Sequence, residues 1–139
     1  MDEIYLPAAL YEEMMRHAAV HFPEEACGLL AGLFDGSTAR VMHFLPIENM
    51  LHSPLVYEME PLEQVRAMIA IESEGLELVG IFHSHPSGPA VPSPSDVAQA
   101  YYPDAAYIII SLADRQRPSA RAFLIRDNGV EEIRLARGS

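Results

Sequence analysis

Three short apolar runs constrain this chain most: Ala26 to Phe34 (ACGLLAGLF), Glu77 to His83 (ELVGIFH) and Ala106 to Leu112 (AYIIISL). A helix that crosses a membrane takes about 20 apolar residues, so none of the three is one. Each reads instead as a buried strand. The segments between them alternate with helical patterns. Leu6, Leu10 and Met14 recur at i, i+4 spacing behind Pro7, which predicts a helix over residues 6–21. Asp35-Gly36 is a turn signal, and residues 39–45 (ARVMHFL) read as the hairpin partner of the first run. Segment 46–60 is irregular. A second helix spans 61–74, from Pro61 to Gly75, with Leu62, Val65, Met68 and Ile69 on one side. A short helix runs from Ser93 to about Tyr101, and two more strands, 119–126 and 130–136, follow around a turn at Asp127-Asn128-Gly129. The order predicts a mixed α/β domain, with helices against a largely antiparallel sheet.

Length and charge narrow the class. The 139 residues suit one domain, residues 1–139, with half of them apolar and 21% charged. The formal net charge of −11 excludes a nucleic-acid binder, which relies on clustered Lys and Arg, and argues against an anionic membrane. One cysteine, Cys27, excludes an internal disulfide and a structural zinc site built on several thiolates. The acidic start Met1-Asp2-Glu3 is unlike a signal peptide, so the expected location is the cytoplasm.

The chemistry concentrates in His83-Ser84-His85-Pro86, followed by Ser93 and Asp96. Residues two apart on a strand share a face, so His83 and His85 can reach one metal ion from a strand end. Asp96 falls in the first turn of the short helix, held beside that end by a proline-rich segment. Two imidazoles and one carboxylate are the ligand set of an open catalytic zinc site. Ser93-Pro94-x-Asp96 is equally a capping box, and the two roles can coexist if they use different oxygens. A general base has two candidates, Glu24 and Glu25, at the mouth of the first buried strand; partial burial there raises a carboxyl pKa toward a useful range. A second histidine pair, His17 and His21, has the i, i+4 spacing of some zinc proteases but lacks their glutamate, since Ala18 follows His17. A core or interface role fits it better, and that face is a candidate contact between copies of the chain.

Together these pieces resemble the JAMM (MPN-type) metalloprotease family. The motif is Glu25-Ala26-Cys27-Gly28, then His83-Ser84-His85-Pro86, six residues, Ser93, two residues and Asp96. The resemblance implies a cytidine-deaminase-like fold with a curved sheet between helices. It implies one zinc ion per chain on His83, His85 and Asp96, with Glu25 as the acid/base and Ser93 helping to hold the scissile carbonyl or its oxyanion. Ser84 is read as a backbone-fixing residue and Cys27 as a packed strand residue. The implied activity is hydrolysis of peptide or isopeptide bonds at the C-terminus of a ubiquitin-like or sulfur-carrier protein. Segments 46–60 and 86–92 are the expected substrate contacts. The alternative is a non-catalytic MPN-type module that binds such a partner. A zinc deaminase is excluded, because its His-x-Glu and Pro-Cys-x-x-Cys motifs are missing.

Overall fold

A computed structural model describes residues 1–138. Seven strands and three helices follow in the order β1 (Glu3–Leu6), α1 (Ala8–His21), β2 (Cys27–Asp35), β3 (Thr38–Ile47), α2 (Pro61–Ser73), β4 (Glu77–His85), α3 (Pro94–Ala98), β5 (Ala106–Ser111), β6 (Ser119–Arg126) and β7 (Gly129–Arg137). The sheet curves until it closes into a barrel in the order β1-β3-β2-β4-β5-β6-β7. Pairs β2–β3, β2–β4, β5–β6 and β6–β7 are antiparallel, whereas β1–β3, β1–β7 and β4–β5 are parallel.

Burial of both faces explains the continuous apolar runs. Alternate residues of β5 enter two clusters: Ile108 and Ile110 pack with Met14 and Ala18 of α1, while Tyr107 and Ile109 pack with Ala67 and Ile71 of α2. β4 divides in the same way, with Val79 and Phe82 on the α1 side and Ile81 on the α2 side.

Several boundaries differ from the sequence reading; β3, for one, runs on through Pro46 and Ile47 into the segment read as irregular. Residues 3–6 form β1, a strand the sequence reading lacked, and the helix read from residue 6 starts at Ala8; Leu6 is buried as a strand residue rather than as a helical one. β4 continues through His85, because β5 lies parallel beside it and pairs Ser84 with Ile110 and His85 with Ser111. α3 stops at Ala98, four residues before the Tyr102-Pro103 bond, and Tyr102 N–H turns to the Tyr107 hydroxyl instead. The α2 face is also corrected. Leu62, Val65 and Ile69 point outward and are more than half exposed, and the buried face carries Ala67 and Ile71.

Candidate metal centre

The end of β4 presents His83 and His85 on one face, at 0% and 7% exposure. Their rings turn Nε2 toward a common point, with the two nitrogens 3.1 Å apart. The loop from Pro86 to Pro92 brings α3 back over them. Asp96 Oδ2 lies 3.0 Å from His83 Nε2 and 3.0 Å from His85 Nε2. The three donor atoms thus form a near-equilateral triangle. A tetrahedral ion with bonds of 2.0–2.1 Å has donor–donor edges of about 3.3 Å, so the triangle is the right size for one face of such a site.

The capping box is present as well: Asp96 N–H donates to Ser93 Oγ at 3.1 Å and Ser93 N–H donates to Asp96 Oδ2 at 2.9 Å. One point of the sequence reading is corrected here. The cap and the donor triangle share a single carboxylate oxygen, Oδ2. The cap therefore does more than start a five-residue helix; its hydrogen bond aims the oxygen at the two rings.

The second ring nitrogen of His85 is placed as in a metal site. His85 Nδ1 donates to the Pro89 carbonyl at 2.7 Å, which leaves Nε2 with its lone pair. His83 is stacked against Tyr57, with ring centroids 4.6 Å apart. Its Nδ1 is buried without a partner. Burial lowers the His83 pKa and favours the neutral ring that a metal needs. Burial works against ionised Asp96, but the two imidazole rings at its Oδ2 outweigh it, through hydrogen bonding whenever a ring Nε2 is protonated, and hold that carboxyl well below its usual range.

Glu25 completes the group: one oxygen of it, one of Asp96 and one nitrogen of each histidine all lie within 4.8 Å of one another, which is close enough to hold a metal ion. It is 3% exposed, and its Oε1 is buried without a partner. Burial pushes its pKa up to about 8, an effect that His85 partly offsets. Glu24 turns away to bond His52, so the structure brings only the second of the two candidate glutamates to the site. Ser84 faces the other way, accepting from Ala26 N–H on Oγ at 2.8 Å and so locking the Glu25 strand to the histidine strand.

Pro54, Leu55, Pro86, Val91 and Ser93 line a cavity of about 360 Å³ that opens onto Glu25 and His85. Both segments expected to meet substrate, 46–60 and 86–92, therefore border the site. His17 and His21 stand apart from the four-residue group; the His17 ring packs half-buried with Nε2 3.2 Å from the Cys27 carbonyl. The residues missed from the sequence are Tyr57 and Pro89. Pro89 acts through a backbone carbonyl, which leaves no mark in residue type. Tyr57 sits in a segment with no regular pattern to place it.

A curved sheet that presents a buried glutamate, two histidines and an aspartate in this order defines a JAB/MPN fold with a candidate metal centre. The family described as prokaryotic homologs of the JAB domain matches residues 7–126, and the chain belongs to it. A protein of Desulfitobacterium hafniense solved in solution is 40% identical, with a TM-score of 0.90 over 98% of this chain and 93% of that one. Among curated proteins, the "CysO-cysteine peptidase" of Mycobacterium tuberculosis is 37% identical over 93% of this chain and 87% of its own length. The "Probable TtuB-protein conjugate cleaving protease" of Thermus thermophilus is 38% identical over 95% and 81%.

Proposed function

We propose that this chain is a zinc-dependent peptidase or isopeptidase, one domain over residues 1–139, that hydrolyses the bond after the C-terminus of a ubiquitin-like or sulfur-carrier protein. The observation that carries the reading is a buried carboxylate, Glu25, with one unpartnered oxygen beside a triangle of three metal-binding donors. The activities for which the mycobacterial and Thermus relatives are named supply the substrate class. Among the described residues no helix is long and apolar enough to cross a membrane, and a lone free cysteine suits the reducing cytoplasm.

His83, His85 and Asp96 would hold the ion. Zinc there would supply the Lewis acidity that makes water a nucleophile near neutral pH. Glu25 takes the proton of the attacking water on its free oxygen and returns it to the leaving amine. The Ser93 hydroxyl lies on the cavity wall beside His85, where it supports the scissile carbonyl as negative charge develops.

Metal analysis run beside cleavage assays tests the reading. Wild type is expected to carry one zinc per chain and to release the leaving group from a ubiquitin-like substrate. His85→Ala should lose the metal. Glu25→Gln should keep it and lose about 10²- to 10⁴-fold in kcat. Zinc absent after reconstitution, or Glu25→Gln as active as wild type, overturns the reading and leaves a binding module.

A further inference from the structure

Asn49 lies just past the end of β3 and is 6% exposed. All four hydrogen-bonding positions of its side-chain amide are used. Nδ2 donates to the Glu25 carbonyl at 3.0 Å and to the Val56 carbonyl at 3.1 Å. Oδ1 accepts from Leu51 N–H at 3.1 Å and from Glu58 N–H at 3.1 Å. A buried amide with two donors and two acceptors, each satisfied, is a strongly specified junction. No other residue type offers that set at this length.

The four partners show what the junction holds. Leu51, Val56 and Glu58 belong to the loop that leaves β3 and returns at Met59, where Asn49 and Met59 form an isolated bridge. The fourth is the backbone of Glu25. That same loop closes the circuit from its other side, because Glu25 N–H donates to the Ser53 carbonyl at 2.8 Å. The loop also carries Tyr57 onto the His83 ring and Leu55 onto the wall of the cavity.

We infer that Asn49 is a positioning residue for the reaction: it fixes the Glu25 backbone and the 50–58 loop as one rigid unit, and thereby sets the Glu25 carboxylate against the three metal-binding donors. It touches neither metal nor substrate. The inference rests on the reading of Glu25 as the proton carrier. A carboxylate displaced by an ångström loses much of its rate, whereas a metal held from β4 and α3 stays in place.

Two variants and one measurement on the unaltered protein test this. Asn49→Asp keeps both acceptor positions but sets a carboxylate against two carbonyl oxygens. Asn49→Ser removes most of the junction without adding charge. Each is expected to keep the zinc content of wild type while kcat falls about 10- to 100-fold, more than KM changes. A role in folding alone lowers the melting temperature and leaves kcat of the folded, metal-loaded fraction near that of wild type; kcat within about twofold in either variant overturns the inference. Hydrogen exchange on wild type gives a reading even if neither variant folds. The Leu51 and Glu58 amides should be slowed about 100-fold or more against unfolded chain, and free exchange overturns the inference too. Wild type inactive on every ubiquitin-like substrate, with those amides protected, counts against the proposed activity and not against the junction.

Discussion

Cys27 stands directly across from His83 in the β2–β4 ladder, yet its thiol takes no part in the donor group. Its Sγ lies 3.4 Å from the Ile47 carbonyl, and burial with nearby Glu25 pushes its pKa up to about 12. A thiol reacts as its thiolate, so iodoacetamide at pH about 8 should leave the folded protein unmodified and label the unfolded chain fully. Rapid labelling of the native protein would mean that the β2 end opens readily. His52 gives a second prediction at this scale. Its ring lies 3.0 Å from Glu24 and 3.2 Å from Glu48, and the bond to Glu24 leads in raising its pKa above the ordinary 6.5. A raised folded-state value means the ion pairs contribute fully below the unfolded pKa and fade as pH rises through the folded one. The melting-temperature gap between wild type and His52→Gln should therefore be present at pH about 6 and gone by about 9. A gap that grows with pH would sink the assignment.

Among the elements, β2 shows how closely the sheet is built beside the site. A Cβ added at Gly28 would fall 2.7 Å from the Leu45 carbonyl oxygen and 2.5 Å from the Phe44 ring. Backbone cannot yield there without moving β3 away from the strand that follows Glu25. Gly28→Ala should cost about 1–3 kcal/mol in urea unfolding, and a cost near zero would show that β3 shifts freely. The helix α2 makes the opposite point. Its apolar residues were legible as a stripe, but three of the four, Leu62, Val65 and Ile69, face out, because Ala67 and Ile71, with partly buried Met68, fill the side that meets the core. Periodicity reveals that a helix has a face and not which face is buried. By contrast, the candidate donor set was legible from residue type and spacing, although Ser93 and Asp96 read equally as a helix cap until the resemblance joined them to the two histidines. His83 and His85 share a strand face by geometry, and a capping box fixes where Asp96 points. Asn49 was not legible, since its meaning lies in four backbone partners that only the folded loop brings together.

At the scale of the whole molecule the sheet closes, and β1 is the strand that closes it. Its residues Glu3 to Tyr5 pair in parallel with β3 on one side, and Glu3 to Leu6 pair in parallel with β7 on the other. The sequence hid this strand because a stretch of four is too short to show alternation, and Leu6 matched the helical spacing of Leu10 and Met14. Ile4 and Leu6 are fully buried between the two neighbours. Each such side chain contributes about 1.5–3 kcal/mol by burial. Removing residues 1–6 would take away both and leave β3 and β7 with unpaired edges, which invite pairing between copies. The truncated protein should melt at least about 10 °C lower and associate on size-exclusion chromatography. The strands that carry the candidate site, β2 and β4, lie away from that seam in the barrel order, with β3 between β2 and β1. Loss of the seam should therefore lower stability before it changes the metal stoichiometry of the protein that remains folded. A monomeric truncation that melts like the full chain would show that the barrel is held by its antiparallel pairs alone.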